Sequence, residues 1–178
     1  MADLENLVPV IGGLAWVSGR LFELEGRWAA SMDEPAAVVH LAEHSRHHGW
    51  HAGLWRDALP DSPALAATDH VTAPARWDAA IALTADGGLL DGADDAGRLA
   101  ALYRGLVPRL AGLLADLDHQ LAGPGDRAIR RVLGLVTHDV DNDLRGGSAH
   151  LAATLRDDEA IGSASSATLG LDQAFRIT

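Results

Sequence analysis

Large apolar residues return on a seven-residue beat through the first thirty positions, and that beat leaves few folds open. Leu7, Leu14, Leu21 and Trp28 fall on one heptad position, with Val10, Val17 and Leu24 on the other. A seam sustained over three heptads predicts a helix over about 6–31, packed along its length on other helices. Gly12, Gly13, Gly19 and Gly26 lower its intrinsic propensity, so tertiary packing must hold it. Residues 32–35 form a turn, and a second helix over 36–58 stops at Leu59, Pro60, Asp61, Ser62 and Pro63. Two helices joined by so short a link must be antiparallel neighbours.

Residues 60–93 read differently. They hold three prolines, the pair Gly87 and Gly88 and many Asp and Ala, with a short helix over 75–84 carrying Trp77 and Ile81. A connection this long suits a crossover between two hairpins and is a place for function. A third helix over 95–122 carries Leu99, Leu102, Leu106, Leu110, Leu113 and Leu117, with a kink at Pro108. After the breaker at 123–125, Asp126 is read as the cap of a fourth helix over 127–155, whose stripe includes Ile129, Val132, Leu133, Val136, Val140 and Leu151. Residues 162–167 have the composition of a linker and 169–177 form a short apolar tail. No segment alternates with the period of a strand. The expected architecture is all-α: a four-helix bundle of two antiparallel helical hairpins joined by a long crossover, one domain over 1–156 with the crossover at 60–93, followed by a linker and tail over 157–178.

Composition removes several chemistries. The chain has 178 residues, no cysteine and no lysine, which excludes thiol nucleophiles, zinc ribbons, iron–sulfur clusters, Schiff bases and a P-loop lysine. Its formal net charge of −11 repels nucleic acid and anionic membranes. No apolar stretch is read as approaching the ~20 residues of a membrane span, and the early acids of the N-terminus do not suit a secretory signal. The expected location is cytoplasmic.

The most informative stretch lies in the second helix, where five of the nine histidines fall within residues 40–51. At helical spacing His40, His44, His47 and His51 lie within about 60° of one another, and the line continues into apolar residues at both ends. His48 falls to one side. Imidazoles at core-facing positions need carboxylates, water or a metal. On the first helix Glu25 sits in the middle of the apolar arc, and counting outward from the turn brings it level with His40 to His44. On the fourth helix Asp139, Asp143 and His150 share the Val136 and Val140 face, while His138 and Asp141 point away. Glu25, His40, His44, His47, Asp139 and Asp143 are therefore candidate metal ligands. A mixed set of His and carboxylate suits iron or manganese, with zinc possible. A metal-free polar network around a ligand pocket is the alternative, and a surface stripe for partner contact a third.

Two hairpins around a crossover, with inward carboxylates and histidines, resemble the ferritin-like superfamily over residues 6–155. That resemblance implies a dinuclear iron or manganese site built from a Glu on each of two helices and a Glu-x-x-His on the other two. Glu25 matches the first-helix Glu. His44-x-x-His47 has the helix-2 spacing with His in place of Glu, and Glu43 is followed at 46 by Arg. Asp139-x-x-Asn142 has the helix-4 spacing, and the third helix offers only Asp116, Tyr103 and Arg109. The run His44-x-x-His47-His48 is also similar to the histidine run of DinB-like four-helix proteins, which implies His44 and His48 as ligands and a metal-dependent transferase or hydrolase.

His51 and Tyr103 are candidate catalytic groups, and Trp50, Trp55 and Arg109 candidate substrate contacts. The expected function is that of a metal-dependent oxidoreductase acting on a small organic molecule. The alternatives are a metal-free enzyme or small-molecule-binding protein using histidines as acids and bases, and a partner-binding protein whose first-helix seam pairs with a second copy. A homodimer fits any of these.

Overall fold

The computed structural model describes residues 4–60, 70–121 and 123–176. Asp61, Ser62 and Pro63 of the expected helix stop, the rest of the crossover through 69, Ala122 and Ile177 lie outside the described residues. Among those described, the secondary structure is helical with no strand.

Helix α1 spans Leu4–Ala29 and α2 spans Pro35–Asp57. They form the most extensive helix–helix contact in the molecule. The heptad seam is the reason: Leu7, Leu14, Val17, Leu21, Leu24 and Trp28 are all buried. The seam residues that might have paired with a second copy are thus covered within the chain. Residues 6–29 are, by length and composition, apolar enough to cross a membrane, which corrects the expectation that no stretch approaches that length. Most of that stretch is buried inside the protein.

A count outward from the turn does not give the side-chain partner of Glu25. Ser45 donates its hydroxyl to the Phe22 carbonyl at 2.9 Å, and Glu25 meets His48 rather than His40 to His44. The turn is not tight. The backbone N–H groups of Asp33 and Glu34 donate to the Asp95 carboxylate at 3.1 and 2.9 Å, which ties the turn to the third long helix.

That helix is built in three parts: α4 over Asp95–Ala100, a π-helical turn over Ala101–Leu106, and α5 over Val107–Gln120. Pro108 lacks an N–H and its ring collides with the carbonyl one turn back. A widened turn just before it accommodates both. The kink expected at Pro108 is thus a change of helix type. It also rephases the stripe: Leu114 is buried, while Leu113 is only partly so. Helix α6 spans Arg127–Thr154 and buries Leu133, Val136, Val140, Asp143, Gly147 and Leu151 on one line. Asp126 makes no side-chain cap to α6; its carboxylate accepts the Gly123 N–H at 2.8 Å and closes the turn before the helix. Helix α2 packs on α6, α5 on α6, and α1 on α5.

The described part of the crossover, residues 70–93, crosses α1 at Gly12 and Gly13, holds helix α3 over Trp77–Ala82, and reaches the C-terminal end of α1, where Arg27 donates to the Thr84 carbonyl at 2.7 Å. A Cβ at Gly12 would overlap the His70 carbonyl, and one at Gly13 would crowd Pro74. The glycines that weaken α1 as a helix are what let the chain cross it.

Residues 162–167 are not a linker. They lie inside α7, Asp158–Arg176, which buries Ala164, Ala167 and Leu171. Leu171 occupies the space a side chain at Gly105 would fill. Arg109 donates to Asp172 at 2.6 Å and stacks on Phe175 with 4.3 Å between its guanidinium carbon and the ring centre. Ser and Ala in the stretch serve close packing here rather than flexibility.

Substitution of Gly12 tests the crossing. Gly12→Ala should cost about 2 kcal/mol or more by overpacking. Gly53→Ala, inside α2 with open space around it, should gain about 0.5–1 kcal/mol from helix propensity. Chemical denaturation of both variants measures the contrast; equal effects would contradict the packing described.

Candidate functional site

The inward line of α2 is Ala37, Leu41, His44, His48, His51 and Trp55, all buried. These positions are spaced by four and three residues in alternation, the same a/d pattern that governs α1. His40 and His47 flank the line and are only partly buried. His48 is therefore central and not off to the side. The apolar anchors Ala37, Leu41 and Trp55 were the signal that places it there, and choosing the densest run of histidines in place of those anchors rotates the face by one position.

Two sets of contacts emerge. In the first, His44 is buried between α2, the π-turn and α6. Its Nε2 lies 3.0 Å from Asp143 Oδ1 and its Nδ1 lies 2.8 Å from the Tyr103 hydroxyl. His47 Nδ1 reaches the same carboxylate at 3.1 Å. Burial alone would raise the Asp143 pKa, but the hydrogen bonds and charges of His44 and His47 outweigh it and hold the carboxyl below its usual value. An ionised Asp143 accepts from both rings, and the neutral ring of His44 that does so carries its proton on Nε2 and accepts the Tyr103 O–H at Nδ1. Tyr103, expected only at the edge of its helix, is buried because the π-turn rotates it inward and because α6 has Gly147 opposite; a Cβ there would overlap the ring. Burial, then the nearby Glu25 and Asp143, push its phenol pKa well up. His40 lies tilted against His44, with 3.7 Å between ring centres, and against His150, with 4.5 Å. Burial, then those two rings, lower its pKa to about 3.

The second set lies between α1 and α2. Glu25 and His48 are fully buried and approach at 3.5 Å. That is too long and too poorly directed for a hydrogen bond, and all four of their side-chain polar atoms are left without a partner. His51 places Nε2 3.0 Å from Asp139 Oδ2, with its buried Nδ1 unpartnered. Ser18 and Trp55, further along the same two helices, also bury unpartnered polar atoms. Burial, then Asp143, raises the Glu25 pKa well above the usual carboxylate range. Burial, then His51, lowers His48 to about 3. Burial lowers His51 too, against the pull of Asp139. These shifts favour the neutral form of each group: a protonated acid beside two uncharged imidazoles.

Among the described residues no three His, Asp or Glu side chains converge with the geometry of a metal site. The six ligands expected from sequence divide accordingly. His44, His47 and Asp143 bond to one another, Asp139 bonds to His51, His40 lies against His150, and Glu25 faces His48. Of the expected substrate contacts, Trp55 is wholly buried in the core, Trp50 is 51% exposed beside His51, and Arg109 is taken by Asp172 on the α7 side. Asn142 and His138 bond to each other on the exposed side of α6.

Acid should unfold this protein through the buried histidines. His40 and His48 hold their folded pKa near 3 against about 6.5 when unfolded. Their contribution is complete above about 6.5 and is lost as pH falls from there toward 3. Asp143, held low, loses its contribution in the same direction. Glu25 acts oppositely: its contribution is present below its ordinary pKa and is lost as pH rises. Near pH 5.5 unfolding should therefore take up a net one to two protons, roughly. Glu25→Gln should raise that uptake by about one, raise the unfolding midpoint at pH 8 and change little at pH 4. Superimposable pH–stability profiles for the variant and wild type would contradict the buried neutral acid.

The chain matches no family model, no curated protein and no solved structure, so a functional reading has to rest on this geometry.

Proposed function

We propose that this chain is a metal-dependent oxidoreductase of the ferritin-like, four-helix kind, with a single iron or manganese ion held by Glu25, His48 and His51. In this reading α1 with α2, and the α4–π–α5 segment with α6, are the two hairpins. The observation that carries the proposal is the set of buried polar atoms with no partner. Glu25 offers both oxygens, His48 both nitrogens and His51 its Nδ1, and folding leaves such atoms unpaired only at a cost of about 1–3 kcal/mol each. Together they form two imidazoles and one carboxylate, the donor set of non-haem iron(II) sites that keep open positions for oxygen and substrate.

The surrounding residues suit that role. Asp139 accepts the His51 Nε2 proton, which fixes the tautomer and leaves Nδ1 as the free lone pair. Burial keeps both histidines uncharged at neutral pH, so neither must lose a proton before binding. Glu25 gives up its proton and supplies the negative charge. Bound there, the ion would supply Lewis acidity and one-electron chemistry. Access for a small organic molecule runs along the α2–α6 seam, where Asp139 and His47 are partly exposed and Trp50 stands half out.

A second reading has one observation in its favour. The hydrogen-bonded pairs of His44, His47 and His51 with carboxylates, and the lack of a converged triad among the described residues, fit a metal-free site that works by acid–base chemistry.

Metal analysis separates the two. After anaerobic reconstitution with iron(II) or manganese(II), the folded protein should retain about one equivalent. Glu25→Gln and His48→Gln should lose it, and His47→Leu should keep it. Near-zero metal in folded wild-type protein, or retention in both ligand variants, would overturn the metal reading in favour of the acid–base one.

A further inference from the structure

Tyr103 is the chain's only tyrosine, and its hydroxyl is joined to the surface by an unbroken series of side chains. The phenol meets His44 Nδ1 at 2.8 Å, His44 Nε2 meets Asp143 Oδ1 at 3.0 Å, and the same oxygen meets His47 Nδ1 at 3.1 Å. Tyr103, His44 and Asp143 are almost wholly enclosed, whereas the His47 side chain is 35% exposed. The path therefore has one buried end and one wet end. Its members come from the π-turn, α2 and α6. Two glycines of α6 make room for it, Gly147 under the Tyr103 ring and Gly146 under the His40 ring that lies against His44.

We infer that Tyr103, His44, Asp143 and His47 are a proton relay, which exchanges the phenolic proton of Tyr103 with solvent while the core stays closed. The tautomers fix its sense. The Tyr103 O–H bond breaks as the proton moves to the lone pair on His44 Nδ1, and the His44 Nε2–H bond breaks as its proton moves to Asp143. The products are a phenolate, the other neutral tautomer of His44 and a neutral Asp143, so one negative charge has moved from carboxylate to phenol. His47, once exchange with water has removed its proton from Nδ1 and placed one on Nε2, accepts the proton from Asp143 at Nδ1 and releases the Nε2 proton to water. The reverse sequence returns a proton to Tyr103. Tyr103 is thereby a rechargeable acid at the inner end of the path, suited to a ligand that carries a basic oxygen.

What the relay would serve rests on the metal reading above; the relay itself does not. A purely structural role for these four residues predicts that the Tyr103 hydroxyl exchanges only when the core opens, at the pace of the most protected amides. The relay predicts faster exchange through His47.

The test is hydroxyl exchange by NMR on protein carrying tyrosine labelled at Cζ with carbon-13. The deuterium isotope shift at Cζ in mixed light and heavy water reads the exchange of this one phenol. In metal-free wild type, exchange should outpace the backbone amides of residues 101–106 by about tenfold or more. It should slow to the pace of those amides in His47→Leu, a partly exposed site where the fold is expected to survive. Metal content in that variant, with His47 outside the proposed ligands, should not change. Exchange no faster than the amides in wild type, or unaltered in His47→Leu, would overturn the relay, whereas loss of metal in Glu25→Gln bears only on the metal site.

Discussion

A buried carboxyl group facing a buried imidazole, with neither satisfied, is the constraint around which this helical protein is arranged. Glu25 sits in the apolar arc of α1, next to the seam residue Leu24, and His48 on the inward line of α2, and both are fully buried. Desolvation forces both into their neutral forms, and the cost must be offset by the leucines and valines on either side along the same two helices. The α1–α2 interface is accordingly the largest in the molecule. A chain gains no stability from such a layer, so its presence argues for use.

The polar groups around Asp143 are satisfied, and the contrast is informative. His44, His47 and Asp143 have partners at hydrogen-bond distance, and Tyr103 completes the set. That completion depends on a local departure from regular helix. Pro108 imposes a π-turn, the turn swings Tyr103 inward, and Gly147 clears the space for its ring. On the outer side of the same turn, Leu171 of α7 packs against Gly105. The C-terminal helix therefore braces the backbone that positions Tyr103, which gives a segment of linker-like composition a structural task.

Helix positions and the apolar stripes of α1 and α6 were legible in the sequence because a seven-residue repeat encodes burial directly. The inward turn of Asp143 and the outward turn of His138 and Asp141 followed from the same rule. Three things were not legible. The α2 face is misplaced by one position when the densest line of histidines, and not the apolar anchors Ala37, Leu41 and Trp55, sets it, and that puts His48 to one side. The partner of Glu25 does not follow from counting backbone levels, because side chains lean toward the N-terminus of their helix, which carries Glu25 away from the turn and His48 back toward it. The burial of Tyr103 depended on a π-turn, and a Pro in a leucine stripe signals a disturbance without saying in which direction the next side chains rotate. Composition also misled at 162–167, where Ser, Ala and Gly allow close helix packing as readily as they allow disorder.

The central claim is that the unpartnered atoms of Glu25, His48 and His51 are a place for a metal ion. Anomalous diffraction from crystals of iron-reconstituted protein, measured on both sides of the iron edge, tests it most directly. The account predicts one anomalous peak between α1 and α2, bonded by the Glu25 carboxylate and by nitrogens of His48 and His51. Ordered water molecules bridging Glu25 and His48 with no anomalous peak, or a peak only at surface histidines, would contradict it.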